Sequence, residues 1–274
     1  MFGNVNKRKI VRRLRGNSRL TKRAQYDRIE QKRREIKMLL YYVRHGDPIY
    51  NPNMLTPLGE RQAEEVAKRL ALYGVDEIYA SPSNRARQTA IPTAELTKLE
   101  IKDADFADEA HAWRELTCKR AVGEGVTWLF QHSEKRALFN SPEVRALGVE
   151  WYKHPAFLEY EVGMKRVDRV TDEFLLSLGY EHDRELARYN IREKNDKRIA
   201  LFAHQGFGLA FLASLLDIPY PMFSTRFDMT FTGVTVIQFS DEGGYTYPTV
   251  LTLSNDSHIY KSGLTTKYQN KIYF

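Results

Sequence analysis

The chain has 274 residues, 42% apolar and 28% charged, which is enough for one sizeable core and excludes both disorder throughout and a fibrous repeat. Its single cysteine, Cys118, excludes an internal disulfide framework of the secreted kind. The longest apolar run near the N-terminus, Met38 to Val43, is too short for a membrane span or a signal-peptide core, so a soluble cytoplasmic protein with no membrane partner is expected.

The net charge of +7 is local: residues 1–37 hold 14 Lys/Arg against Asp27, Glu30 and Glu35, and the rest of the chain is mildly acidic. With few apolar residues, 1–37 reads as a basic extension ahead of one domain over 38–274. Such charge density would hold phosphate backbones, which keeps a nucleic-acid-binding protein as an alternative. Phe2 and Tyr26 are the only aromatics there, so stacking platforms are lacking and a solubilising tail is the preferred reading.

Met38-Leu-Leu-Tyr-Tyr-Val43 is a continuous apolar run of strand length that stops at Arg44-His45-Gly46. Thr56-Pro57 opens a helix whose Leu58, Ala63, Val66, Ala67 and Leu70 share one face, and Gly74 ends it. Asp76 to Ala80 predicts a second strand, and Ser83 to Leu99 a helix interrupted at Pro92. From about 103 to 197 the chain is rich in charge and aromatics and reads as an inserted, largely helical cap. Its clearest helix runs from about Tyr160 to Leu178. Arg198 to Ala203 is a further strand ending at His204, followed by a helix over Gly206 to Leu216. Val234 to Phe239 and Thr249 to Leu253 close the sheet around the turn at Asp241 to Gly244. The alternation predicts an α/β three-layer sandwich: a central, mostly parallel sheet with helices on both faces.

In open α/β sheets the ligand crevice lies beyond the carboxyl ends of the strands, and here two apolar strands run straight into histidines, His45 and His204. Arg44 is beside the first, and Arg85 lies where the second strand turns into its helix, at a terminus that attracts anions. Two arginines, two histidines and a helix start suit a phosphoryl group, whose transition state spreads negative charge over three oxygens. A histidine that attacks phosphorus must be neutral, and positive neighbours push its pKa down.

The chain resembles the histidine phosphatase superfamily, whose members include cofactor-dependent phosphoglycerate mutase. The resemblance rests on Arg44-His45-Gly46, Leu55-Thr-Pro-Leu-Gly-Glu-Arg-Gln-Ala63, Ser81 to Thr89, Ala203-His204-Gln-Gly206 and Leu253-Ser-Asn-Asp-Ser-His258, in that order over about residues 38 to 260. It implies that His45 becomes phosphohistidine and that Arg44, Arg85 and His204 hold the phosphate. Asn51 and Gly206 are assigned to substrate binding, and Arg87, where the family varies, to an exposed helix position. Glu109 and Glu115 are both eligible as general acid; Glu115 is preferred because its apolar flanks would keep it protonated. No metal or cofactor is required. The expected activity is hydrolysis of a small phosphomonoester through a phosphohistidine, with a phosphoglycerate mutase-type transfer as the alternative.

Other chemistries fit less well. Gly206-Phe-Gly208-Leu-Ala-Phe211 has bulky Phe211 where a dinucleotide-binding loop needs a small residue. Cys118 lacks the arginine six residues on that a cysteine phosphatase needs, and metal-ligand spacings are absent. Tyr50, Trp113, Trp128, Trp151, Phe207 and Phe227 are candidates to line a pocket for an aromatic leaving group.

Overall fold

The structure is a computed structural model that describes residues 37–266. The basic extension therefore lies, apart from Lys37, outside the described residues. Six strands form the main sheet: β1 (Met38–Arg44), β2 (Glu77–Ala80), β3 (Ile101–Asp103), β4 (Arg198–Ala203), β5 (Val234–Phe239) and β6 (Thr249–Asn255). Their spatial order is β6-β5-β1-β4-β2-β3. The pairs β1/β4, β4/β2 and β2/β3 are parallel, and β5 pairs antiparallel with β1 and β6.

The interior strands are buried on both faces, which is why β1 and β4 read as unbroken apolar runs. Alternate side chains divide between two cores. Leu40, Tyr42, Ile199 and Leu201 enter the larger one, while Tyr41, Val43, Ala200 and Phe202 enter the smaller.

The smaller core is covered by α1 (Pro57–Tyr73) and α2 (Asn84–Thr97). Thr56 caps α1 by accepting from the Gly59 amide at 3.0 Å, and Pro57 occupies the first turn, where no amide hydrogen is needed. The second helix continues through Pro92 rather than breaking there. After a short helix, α3 (Glu109–Glu115), the larger core is covered by α4 (Glu161–Ser177) and α5 (Gln205–Leu215). Ten of the eleven α5 residues are buried. The three-layer sandwich with a mostly parallel sheet is thus observed.

Two features of the 103–197 segment differ from the expectation. It contains hairpins, Thr117–Lys119 with Val126–Trp128 and Tyr180–Asp183 with Arg188–Ile191, too short to announce themselves by periodicity. Its longest helix, α4, belongs to the sandwich: Phe174 packs edge-on to Tyr79 of β2 with ring centroids 5.3 Å apart, and tilted to Phe211 of α5 at 6.3 Å. The helical turns between residues 105 and 160 send Phe139, Trp151 and Phe157 into the larger core. The three-residue edge strand β3 was not foreseen from sequence. No helix among the described residues is long and apolar enough to cross a membrane.

Candidate active site

Register places the site. Arg44 of β1 lies opposite Ala203 of β4, so the following residues, His45 and His204, leave the sheet side by side. The His45 amide donates to the Ala203 carbonyl at 2.9 Å, and the two imidazoles sit 5.2 Å apart, centroid to centroid. On the other side of β4, Phe202 lies opposite Ala80, which brings Ser81 beside His204. Three neighbouring parallel strands thus deliver His45, His204 and Ser81 to one crevice beyond their carboxyl ends.

Both histidines are buried. The His45 Nδ1–H donates to the Gly46 carbonyl at 2.7 Å; a carbonyl only accepts, so Nδ1 carries the proton and Nε2 is the nitrogen with a free lone pair. Burial, and then the charges of Arg44 and Arg85, hold the His45 pKa well below its ordinary value, which keeps that lone pair available near neutrality. Burial also depresses His204, with His45, Arg85 and Arg44 adding to it. His204 Nε2 faces the Ser81 hydroxyl at 2.8 Å, and Ser81 Oγ already accepts from the Ser83 amide at 3.3 Å. With the hydroxyl proton turned to Nε2, Nδ1 of His204 is left as a donor facing Glu109, whose carboxylate is 3.6 Å away.

The arginines complete the cluster. Arg44 is stacked over Phe231 at 4.1 Å and donates through Nη1 to the Met229 carbonyl. Arg85, in the first turn of α2, donates to Asn53 Oδ1 at 3.0 Å and to Glu109 Oε2 at 2.8 Å. The other Glu109 oxygen accepts from the Gly206 amide at 2.9 Å, at the positive N-terminal end of α5. Three buried nitrogens here have no hydrogen-bond partner among the described residues: Arg44 Nε, Arg85 Nε and His204 Nδ1, the last facing Glu109 beyond hydrogen-bond reach at 3.6 Å. Orphaned buried donors are rare unless a ligand satisfies them, and three of them around one crevice describe an anion site.

His45, Arg44, Arg85, His204 and Gly206 are therefore brought together as expected, but Glu115 is not. Glu115 accepts both hydrogen bonds of Arg166 Nε, at 2.9 and 2.7 Å, and its Cβ packs on Gly163 of α4, where an added Cβ would come within 2.6 Å. The acidic residue in the cluster is Glu109. The two lie six residues apart on α3, which at about 100° per residue turns them roughly 120° away from each other, so only one can face the crevice. Asn51 is corrected in the same way: it is exposed at the tip of a hairpin, and Asn53, two residues on, is the one that reaches Arg85. The pairing of Pro48–Ile49 with Met54–Leu55 folds Asn53 back toward α2.

Sequence reasoning missed Asn53 and Ser81 beside the cluster; Ser81 directly follows an apolar strand, as His45 and His204 do, which was its signal, and no such signal marks Asn53. Arg87 pairs with Asp103 on the surface, clear of the cluster. His258 stands one layer behind it, bonded to Thr232 Oγ1 at 3.0 Å, and the Thr232 amide donates to the Arg44 carbonyl at 3.0 Å. Of the aromatic candidates, Tyr50, Trp113 and Trp128 line a cavity of about 700 Å³ beside Arg85 and Glu109. Trp151 and Phe207 are fully buried in the larger core, and Phe227 packs on Phe223, so these three lie elsewhere. His45, Glu109 and His204 present ligand atoms within 4.8 Å of one another, a geometry that could close on a metal. Two guanidinium groups beside them favour an anion instead.

Residues 40–153 match the family model of the histidine phosphatase superfamily, branch 1. No curated protein matches the sequence. Among solved structures, the mycobacterial hydrolase 1 is similar at 20% identity and a TM-score of 0.51, covering 79% of this chain and 98% of that one. A mutant phosphoserine phosphatase from Entamoeba histolytica in complex with phosphoserine is similar at 20% identity and a TM-score of 0.51, covering 81% of this chain and 99% of that one. The same phosphatase in complex with 3-phosphoglyceric acid gives the same identity, TM-score and coverage. At these identities the likeness is one of fold.

Proposed function

From a chain whose residues 40–153 match the histidine phosphatase superfamily, we propose a metal-independent phosphomonoesterase that works through a phosphohistidine at His45. His45 Nε2 attacks phosphorus and the bond to the ester oxygen breaks. Glu109 enters this step protonated, gives that proton to the oxygen as the alcohol leaves, and remains as the carboxylate. Arg44, Arg85 and His204 donate to the three equatorial oxygens, where negative charge gathers. In the second step Glu109 takes a proton from water, the water oxygen bonds to phosphorus, and the P–N bond breaks to return neutral His45 and inorganic phosphate.

The observation that carries this reading is the set of three orphaned donors, Arg44 Nε, Arg85 Nε and His204 Nδ1, around a histidine held neutral. That solved structures of similar fold include a phosphatase bound to phosphoserine supports the same class of small phosphorylated substrate.

The test is phosphate release from p-nitrophenyl phosphate together with acid-quench trapping of a phosphoenzyme. Wild type is expected to release phosphate and to carry an acid-labile, base-stable phosphoryl group that His45→Ala lacks. A fully active His45→Ala enzyme sinks the reading, and isomerised phosphoglycerate without net phosphate release replaces the hydrolase with the mutase.

A further inference from the structure

We propose that the cavity beside the cluster selects phosphomonoesters whose alcohol carries an aromatic ring and no carboxylate; this rests on the phosphatase reading above and names its substrate class. At about 700 Å³ the cavity far exceeds the needs of a phosphoryl group and is of the size that encloses a whole small molecule. Its apolar wall is aromatic. Trp113 meets Trp128 edge to face, with centroids 4.9 Å apart at 84°, and the Trp128 ring lies so close to Gly206 that a Cβ there would stand 2.1 Å from it. The wall is thus braced against the same turn of α5 that holds Glu109. Trp113 remains 39% exposed and Tyr50 67% exposed, with the Arg85 guanidinium over the Tyr50 ring at 5.6 Å, so both aromatic residues keep surface to offer a ligand.

Charge decides what accompanies the ring. Asp108 and Glu109 line the cavity, and among the described residues Arg85 is its only cationic lining residue. Both Nη atoms of Arg85 are committed, to Asn53 and Glu109, and its Nε belongs to the phosphate side. A carboxylate on the leaving group would meet Asp108 with no uncommitted guanidinium or ammonium group among the described lining residues to receive it, and an unpaired charge brought from water into such a site is costly. A ring meets faces and edges that stack with it.

The experiment compares kcat/KM for phosphate release from 2-phenylethyl phosphate, ethyl phosphate and 3-phosphoglycerate, whose leaving group carries a carboxylate and no ammonium. All three are esters of primary alcohols, so their intrinsic reactivities are comparable and the differences report the pocket. Wild type is expected to prefer 2-phenylethyl phosphate to each of the others by about tenfold or more. Trp113→Ala should cut the phenylethyl-to-ethyl ratio by about fivefold, mainly through KM, and Trp113→Phe should restore most of it. Asp108→Asn, which keeps the acceptor that caps α3 at the Ala110 amide, should raise the 3-phosphoglycerate-to-ethyl ratio about threefold. Wild type that favours 3-phosphoglycerate or ethyl phosphate, or a ratio unmoved by Trp113→Ala, overturns the proposal while leaving the phosphatase intact. Failure to hydrolyse any of the three, with no phosphoenzyme formed, removes the phosphatase reading and the proposal together.

Discussion

Two buried histidine clusters in this fold invite comparison. At the strand ends, His45 and His204 face arginines, and three nitrogens around them have no hydrogen-bond partner among the described residues. Some distance along the chain, His182 is held between two carboxylates, with Nδ1 2.8 Å from Asp172 and Nε2 2.8 Å from Asp217. Arg184 closes that second cluster through Asp172 and Ser214 at 2.8 and 3.0 Å, and Ser214 donates to Asp168 at 2.7 Å. Every nitrogen of His182 is satisfied by the protein, and the network ties the Tyr180–Asp183 strand to α4 and the end of α5. Burial alone does not mark a working histidine. Among the described residues the first cluster leaves donors without hydrogen-bond partners, whereas both ring nitrogens of the second are paired.

The largest contrast is expected from removing each histidine. His45→Ala should lower kcat by at least about 10⁴-fold in a phosphate-release assay, as loss of a covalent nucleophile does, with the melting temperature unchanged or raised. His182→Ala should leave kcat/KM within about twofold while costing roughly 2–4 kcal/mol in urea unfolding, because two part-buried carboxylates lose their partner. If both variants lose activity equally, the division between the clusters fails.

The two glutamates of α3 sharpen it further. Glu109→Gln should reduce kcat about 10²–10⁴-fold, the range of general acid–base catalysis. Glu115→Gln should change kcat less than about threefold and cost about 1 kcal/mol, since it weakens a part-buried pair with Arg166. The reverse order, measured by steady-state kinetics, would restore Glu115 as the acid.

Denaturant titrations between about pH 5 and 9 carry the smallest effect. Depressed folded-state values at His45 and His204 mean that the unfolded chain binds the extra protons as pH falls below the ordinary histidine pKa, so stability declines on the acid side, by up to about 1.4 kcal/mol per pH unit for each proton. Burial opposes charge on His182, but its bonds to Asp172 and Asp217 outweigh burial and raise its pKa. Its contribution is therefore full below the unfolded value and is lost as pH rises through the folded one. His45→Ala should flatten only the acid limb and His182→Ala only the alkaline limb; an unchanged alkaline limb in His182→Ala would show that His182 is not charged in the fold.

Much of this fold was legible because its signals are local. The strands Arg198–Ala203 and Val234–Phe239 begin and end as their apolar runs do, and Thr56-Pro57 and Gly74 bound α1 because cap and first-turn chemistry depend on neighbouring residues alone. The edge strand Ile101–Asp103 and the hairpins at 117–128 and 180–191 were not, since runs of three or four residues carry no period and are held by their partners. In the site, His45, Arg44, Arg85 and His204 were readable as residues that follow strands or open a helix at the carboxyl edge of a parallel sheet.

By its order of apolar runs, turns and punctuating residues, the chain alone determined an α/β sandwich and the two strand ends that would carry imidazoles. Only the tertiary structure decided which of Glu109 and Glu115 faces the crevice, which of Asn51 and Asn53 reaches Arg85, and which tryptophans face a cavity. Each of those choices turns on where a side chain points after a helix or hairpin has docked, and docking is set by contacts with residues as far off as Arg85, Gly163 and Gly206.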